Sequence, residues 1–157
     1  MTPSPILPNS DALSAQAPLR RRRVSAGVVC VATFGLLCVG ALLTPSERGL
    51  GTHEQLGLPA CGWYERTGVP CITCGMTTAA ALAADGHLGA ALRVQPAGAA
   101  MALLTAVTTL VAGYGAVRGV DLVPLARRVF RWPVFAAMLV LVIGAWVYKI
   151  IITMTGA

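Results

Sequence analysis

Three stretches of the chain run apolar for about twenty residues each, and none shows the alternation of apolar and polar positions that a strand would need. A hydrocarbon core of ~30 Å takes about 20 helical residues at ~1.5 Å apiece, so each stretch predicts a transmembrane helix. The first, 24–43, runs uncharged from the Arg20 to Arg23 cluster to the break at Thr44-Pro45. The second, 96–117, is also uncharged; Pro96 suits a first helical turn, where its missing N–H has no intrahelical partner anyway. The third, 133–152, opens behind Trp132 and carries Trp146, Tyr148 and Lys149 near its far end, where the lysine is expected to snorkel outward. A nine-residue apolar run, 76–84, reaches only about half the hydrocarbon thickness, so it reads as a short interfacial or re-entrant helix. Asp85, Gly86 and His87 break it, and a second small-residue run follows at 88–92. Continuous apolar runs argue against a membrane barrel, whose strands alternate. The expected fold class is all-α, an integral membrane protein with three transmembrane helices and a short helix behind a cysteine-rich loop.

Composition narrows the picture further. Of 157 residues 56% are hydrophobic and 11% charged, against roughly 25% charged in a soluble domain, and the mean hydropathy is +0.73. That excludes an ordinary soluble domain and a wholly disordered chain. Residues 1–23 are the exception: Pro3, Pro5, Pro8 and Pro18 among polar residues predict a disordered basic tail. The tail's length, and the lack of a small-x-small site after Leu43, favour a retained span over a cleaved signal.

The net charge of +6 is carried by arginines at particular places. Four precede the first span, and the connection 118–132 holds Arg118, Arg127, Arg128 and Arg131 against the single acid Asp121. The longer connection 44–95 mixes Arg48, Arg66 and Arg93 with Glu47, Glu54, Glu65 and Asp85. Arginines beside span ends stay on the cytoplasmic side. With three spans both basic segments share that side, whereas a fourth span at 76–84 would separate them. The expected topology has the N-terminus inside, with 44–95 and the tail 153–157 outside. Anionic lipid headgroups are a secondary use of the charge. A nucleic-acid partner is not expected, because the arginines abut a span and no binding module accompanies them.

The distinctive chemistry lies in the loop. Cys61 precedes Cys71-Ile72-Thr73-Cys74 by ten residues, and this pair opens the 76–84 run. Cys30 and Cys38 lie inside the first span and read as small apolar residues. Around the pair the sequence resembles domain-of-unknown-function family 2752, small bacterial membrane proteins with a motif of the form Cys, then Thr-Gly, then C-P-x-C-G-x-T-R, then Asn-Pro. The resemblance rests on Cys61, Thr67, Gly68, Cys71, Cys74, Gly75, Thr77, Gly86 and Pro96, over roughly residues 57–100. This chain departs from the pattern at Ile72, Thr78 and Gln95, where the family usually has Pro, Arg and Asn. The resemblance implies a multi-pass protein of a bacterial plasma membrane and no particular activity.

Three chemistries fit Cys61, Cys71 and Cys74. An oxidising compartment favours a structural disulfide in any of three pairings, with one thiol left over. Zinc would need a fourth ligand, for which His53 and His87 are the candidates, although neither has metal-ligand spacing to the pair. Redox use is favoured by the helix start behind the pair, which stabilises a thiolate. No catalytic set, no nucleotide loop and no intramembrane acid is recognisable. The leading expectation is therefore a non-enzymatic structural or partner-docking protein, with the cysteines clasping the short helix. Its partners would be the bilayer and another membrane protein or a second copy. The alternative is a thiol-disulfide or zinc-binding protein acting through Cys71 and Cys74, and no cofactor is established by the sequence.

Overall fold

The computed structural model describes residues 10–129 and 131–155. Among these residues there are seven α-helices, one short 3-10 helix and no strand. Three helices are long and apolar enough to cross a membrane: α1 (Ser10–Leu42, apolar from Leu19), α5 (Pro96–Arg118) and α7 (Trp132–Thr155). Within the chain only 6%, 17% and 11% of their most apolar stretches are buried. So much apolar surface left uncovered by protein needs lipid against it, and the chain is a multi-pass membrane protein.

The ends of these helices follow local rules. Thr44 precedes Pro45, which disfavours helical backbone there, and α1 stops at Leu42. Gln95 precedes Pro96 and is extended, with φ −160° and ψ 102°; it separates α4 (Leu88–Val94) from α5. Gly119 closes α5 in the left-handed region at φ 72°, its N–H bonding to Gly115 O at 2.8 Å.

Two expectations are corrected. The segment from Ser10 to Arg23, expected as disordered tail, continues α1 toward the N-terminus, since Ala, Leu, Gln and Arg dominate it and are strong helix formers; residues 1–9 of that tail lie outside the described residues. The connections read as loops hold the 3-10 helix Thr52–Leu56, α2 (Gly62–Thr67), α4 and α6 (Val123–Val129), all too short to announce themselves by periodicity.

Small residues bring the helices together. A Cβ on Gly98 of α5 would stand 2.9 Å from Met76 Cα and 3.0 Å from Ala79 Cβ, so α3 (Met76–Ala84) packs almost backbone to backbone on the first turn of α5. On its other side the Ala80 carbonyl lies 3.7 Å from the Cβ position of Gly40 in α1. Ala79, Ala91 and Ala99 are completely buried between α3, α4 and α5, with Leu82, Ala83 and Val94 around them. Farther along, the hydroxyls of Thr33 and Thr109 meet at 2.8 Å between α1 and α5, and Cys30 Sγ lies 3.4 Å from the Cβ position of Gly113.

Polar contacts sort the molecule into two ends. At one end Arg22 pairs with Asp121 at 3.3 Å, and Arg23 and Leu19 flank Gly119. The two basic segments are thus neighbours. At the other end α7 meets the 43–95 segment: Trp146 Nε1 donates to Pro70 O at 3.0 Å and Tyr148 OH to Arg93 O at 3.2 Å.

Candidate functional site

The site is assembled by three consecutive turns. Cys61 caps α2 in extended conformation, and Gly68 ends that helix at φ 67° with its N–H on Tyr64 O at 2.8 Å. The reversal brings the chain back through the buried Pro70 to Cys71. A tight turn follows, with Cys74 N–H donating to Cys71 O at 3.0 Å and Met76 N–H to Thr73 O at 3.1 Å. Gly75 then caps α3 at φ 87°, a backbone conformation that a residue with a Cβ resists. Its own space is closed as well, since a Cβ there would stand 2.9 Å from Gly49 O.

These turns place the sulfurs of Cys61, Cys71 and Cys74 all within 4.8 Å of one another. Cys71 Sγ and Cys74 Sγ are 3.0 Å apart, Thr73 Oγ1 is 3.3 Å from Cys71 Sγ, and all three cysteines are free thiols. Burial pushes the Cys71 thiol up, but hydrogen bonds from Cys74, Thr73 and Cys61 outweigh it and hold the group at about 7. Cys74 is more enclosed; burial and its hydrogen bonds to Cys71 and Cys61 push it up to about 12. One thiol of the pair therefore ionises near neutral pH and the other stays protonated.

The sulfurs open onto a cleft of about 950 Å³ that also receives His53, Glu54, Glu65, Tyr64, Arg48 and Lys149. Of the expected histidine ligands neither joins the cluster. His53 Nε2 lies 3.3 Å from Pro59 O, and His87 is exposed behind α3, a nine-residue helix away from Cys74. As a metal site the cluster offers three sulfurs and no fourth side chain from His, Cys, Asp or Glu among the described residues. In a tetrahedral zinc thiolate, Zn–S bonds of ~2.3 Å separate sulfurs by about 3.8 Å, so the 3.0 Å pair would have to spread to accept the ion.

The surrounding contacts involve residues whose part the sequence did not reveal. Thr52 and Thr78 are completely buried and joined hydroxyl to hydroxyl at 2.8 Å, and Thr52 Oγ1 accepts from Ser46 N–H at 3.0 Å. Gln95, also completely buried, reaches Ile72 O with Nε2 at 3.5 Å. Lys149 corrects an expectation. It does not snorkel outward: it is 5% exposed and turned toward the loop, where its Nζ donates to Gly49 O at 3.3 Å. A lysine inside an apolar span was the signal available for it, because such groups are costly unless they serve something.

A family model described as protein of unknown function (DUF2752) matches residues 61–109. The matched segment runs from Cys61 into α5 and contains all three clustered cysteines. No curated protein and no solved structure matches the chain.

Proposed function

We propose that this protein is a membrane thiol-disulfide exchanger in which Cys71 and Cys74 are the exchanging pair and Cys61 is an adjacent third thiol. The observation that carries the proposal is the 3.0 Å approach of Cys71 Sγ to Cys74 Sγ at the mouth of an open cleft. The Cys71 thiolate attacks a substrate disulfide, forming a mixed disulfide and releasing one thiolate. Cys74 then attacks Cys71 Sγ and releases the second. Two electrons have passed from the pair to the substrate, and the two cysteine protons end on the two product thiols. The reverse sequence oxidises a substrate dithiol.

This reading is preferred to the cysteine clasp because the loop is tied without any sulfur bond. Trp146, Tyr148, Lys149 and the Thr52–Thr78 pair hold it, and the close approach at Gly98 buries α3 directly. The arginines before the first apolar span and in the connection 118–132 support a cytoplasmic N-terminus and an extracytoplasmic cleft, and the family resemblance supports a bacterial plasma membrane.

Thiol counting on the purified chain tests the proposal. Oxidation by a small disulfide should remove two thiols, joined as Cys71–Cys74, and a reductant should restore them. Three thiols that resist the oxidant, with one equivalent of zinc that leaves only on chelation, would replace this reading by a metal site, which the three gathered sulfurs favour as the second reading.

A further inference from the structure

The exchange just described assigns no step to Lys149, although it lines the same cleft as Cys71 and Cys74. An ammonium carries three donors, and Lys149, at 5% exposure, uses one of them, on a carbonyl rather than a carboxylate. Holding such a charge out of water is costly unless an anion accompanies it. Among the described residues the one ion pair, Arg22–Asp121, lies at the opposite end of the molecule. The carboxylates bordering the cleft, Glu54 and Glu65, make no ion pair with it, and Glu54 is turned onto the Gly51 backbone.

A second positive feature meets the lysine at the same place. The N-terminus of α3 has no side-chain cap, so first-turn N–H groups such as that of Thr77 lack helix partners and the positive end of the helix dipole faces the cleft. Because residue 75 is glycine, Lys149 lies against this turn: its Nζ is 3.4 Å from where a Cβ on Gly75 would be. Gly75, Met76, Thr77 and Lys149 line the cleft together with Cys71 and Cys74.

We propose that Lys149 and the first turn of α3 form an anion subsite, and that the substrate is a small disulfide bearing a carboxylate. Its carboxylate binds Lys149 while one of its sulfurs meets Cys71. The single lysine suits a monoanion better than a phosphate dianion, and the cleft volume suits a small molecule. The word substrate rests on the exchange reading above; the anion subsite does not.

The experiment therefore reads the subsite without exchange. Cys71 of the full chain, reduced and in detergent, is alkylated with iodoacetate and with iodoacetamide; in each case the thiolate displaces iodide, and the reagents differ in one carboxylate. The ratio of the two rates, normalised to an unstructured cysteine peptide, should favour iodoacetate in the wild type. Lys149→Met should lower it roughly tenfold, the worth of one charge-assisted contact, while Lys149→Arg retains most of it. An unchanged iodoacetamide rate shows that Lys149→Met has folded. Should it not fold, propionate added to the wild type should slow iodoacetamide at Cys71, and no slowing overturns the proposal. A normalised ratio of one in the wild type, or an equal fall for both reagents in Lys149→Met, also overturns it, the latter by making the cysteine thiolate the anion that Lys149 serves. If the ratio holds but 3,3′-dithiodipropionate oxidises the pair no faster than the neutral hydroxyethyl disulfide, the subsite stands and its link to exchange is lost.

Discussion

Cys71 and Cys74 share one turn of chain, yet their surroundings separate them by several pH units. Thr73 and the neighbouring thiols donate to Cys71 and stabilise its thiolate, whereas the greater burial of Cys74 works against charge there. Since the thiolate is the nucleophile, alkylation of Cys71 should rise with pH through about 7, while Cys74 stays slow across the neutral range. Mass mapping of modified thiols from pH 5 to 9 measures both. Thr73→Val should move the Cys71 profile to higher pH, because it removes one of the bonds that favour the charged form. Gly75 is the other decisive position at this scale. Valine there meets Gly49 O and is forced into a left-handed backbone, roughly 1–3 kcal/mol of strain before the clash is counted. The yield of folded Gly75→Val should fall sharply, whereas Gly62→Ala, with open space around it, should leave the yield unchanged.

Among the elements, α3 has the weakest claim to stability on its own: nine residues, mostly alanine, are too few to hold a helix in water. It persists because Gly98 and Gly40 let it approach α5 and α1 closely enough to bury Ala79 and Ala81 completely. Gly98→Leu should push it away at a cost of about 1–3 kcal/mol, typical of overpacking, and open the loop to protease. Cys61→Ser and Cys71→Ser should leave protease resistance near that of the wild type, since neither sulfur is needed for this packing. Equal digestion of the cysteine variants and Gly98→Leu would restore the clasp. Trp146→Phe deletes the hydrogen bond to Pro70 O, a loss of about 1 kcal/mol, and should loosen the loop at its junction with α7.

The whole molecule has a basic end and a sulfur-bearing end, separated by three apolar helices. The Arg22–Asp121 pair joins the basic stretch of α1 to the connection after α5 at one end, and the contacts of Trp146, Tyr148 and Lys149 bring the far end of α7 to the cleft at the other. By the arginine bias the basic end should face the cytoplasm. A membrane-impermeant maleimide applied to intact cells, after reduction, should label Cys61 and not a cysteine introduced at Asp121. The reverse pattern would invert the topology and remove the oxidising environment from around the cleft.

The three spans, the all-α class and the separateness of 76–84 were legible in the sequence, because each depends on properties that act locally: apolar length against bilayer thickness, helix geometry and the restrictions imposed by proline and glycine. The spacing of Cys61, Cys71 and Cys74 marked the site in the same way. Their convergence was decided in three dimensions, by the reversal at Gly68 and the turn from Cys71 to Gly75. So were the Thr52–Thr78 pair, 26 residues apart, and the reach of Lys149 to Gly49 across 100 residues. A lysine near the end of an apolar helix has two ways to satisfy its charge, water beyond the headgroups or a polar group of the protein. Which one it takes depends on what the rest of the chain places beside it. Here the folded loop puts a carbonyl and a bare helix end beside it, in the cleft that the two thiols also line.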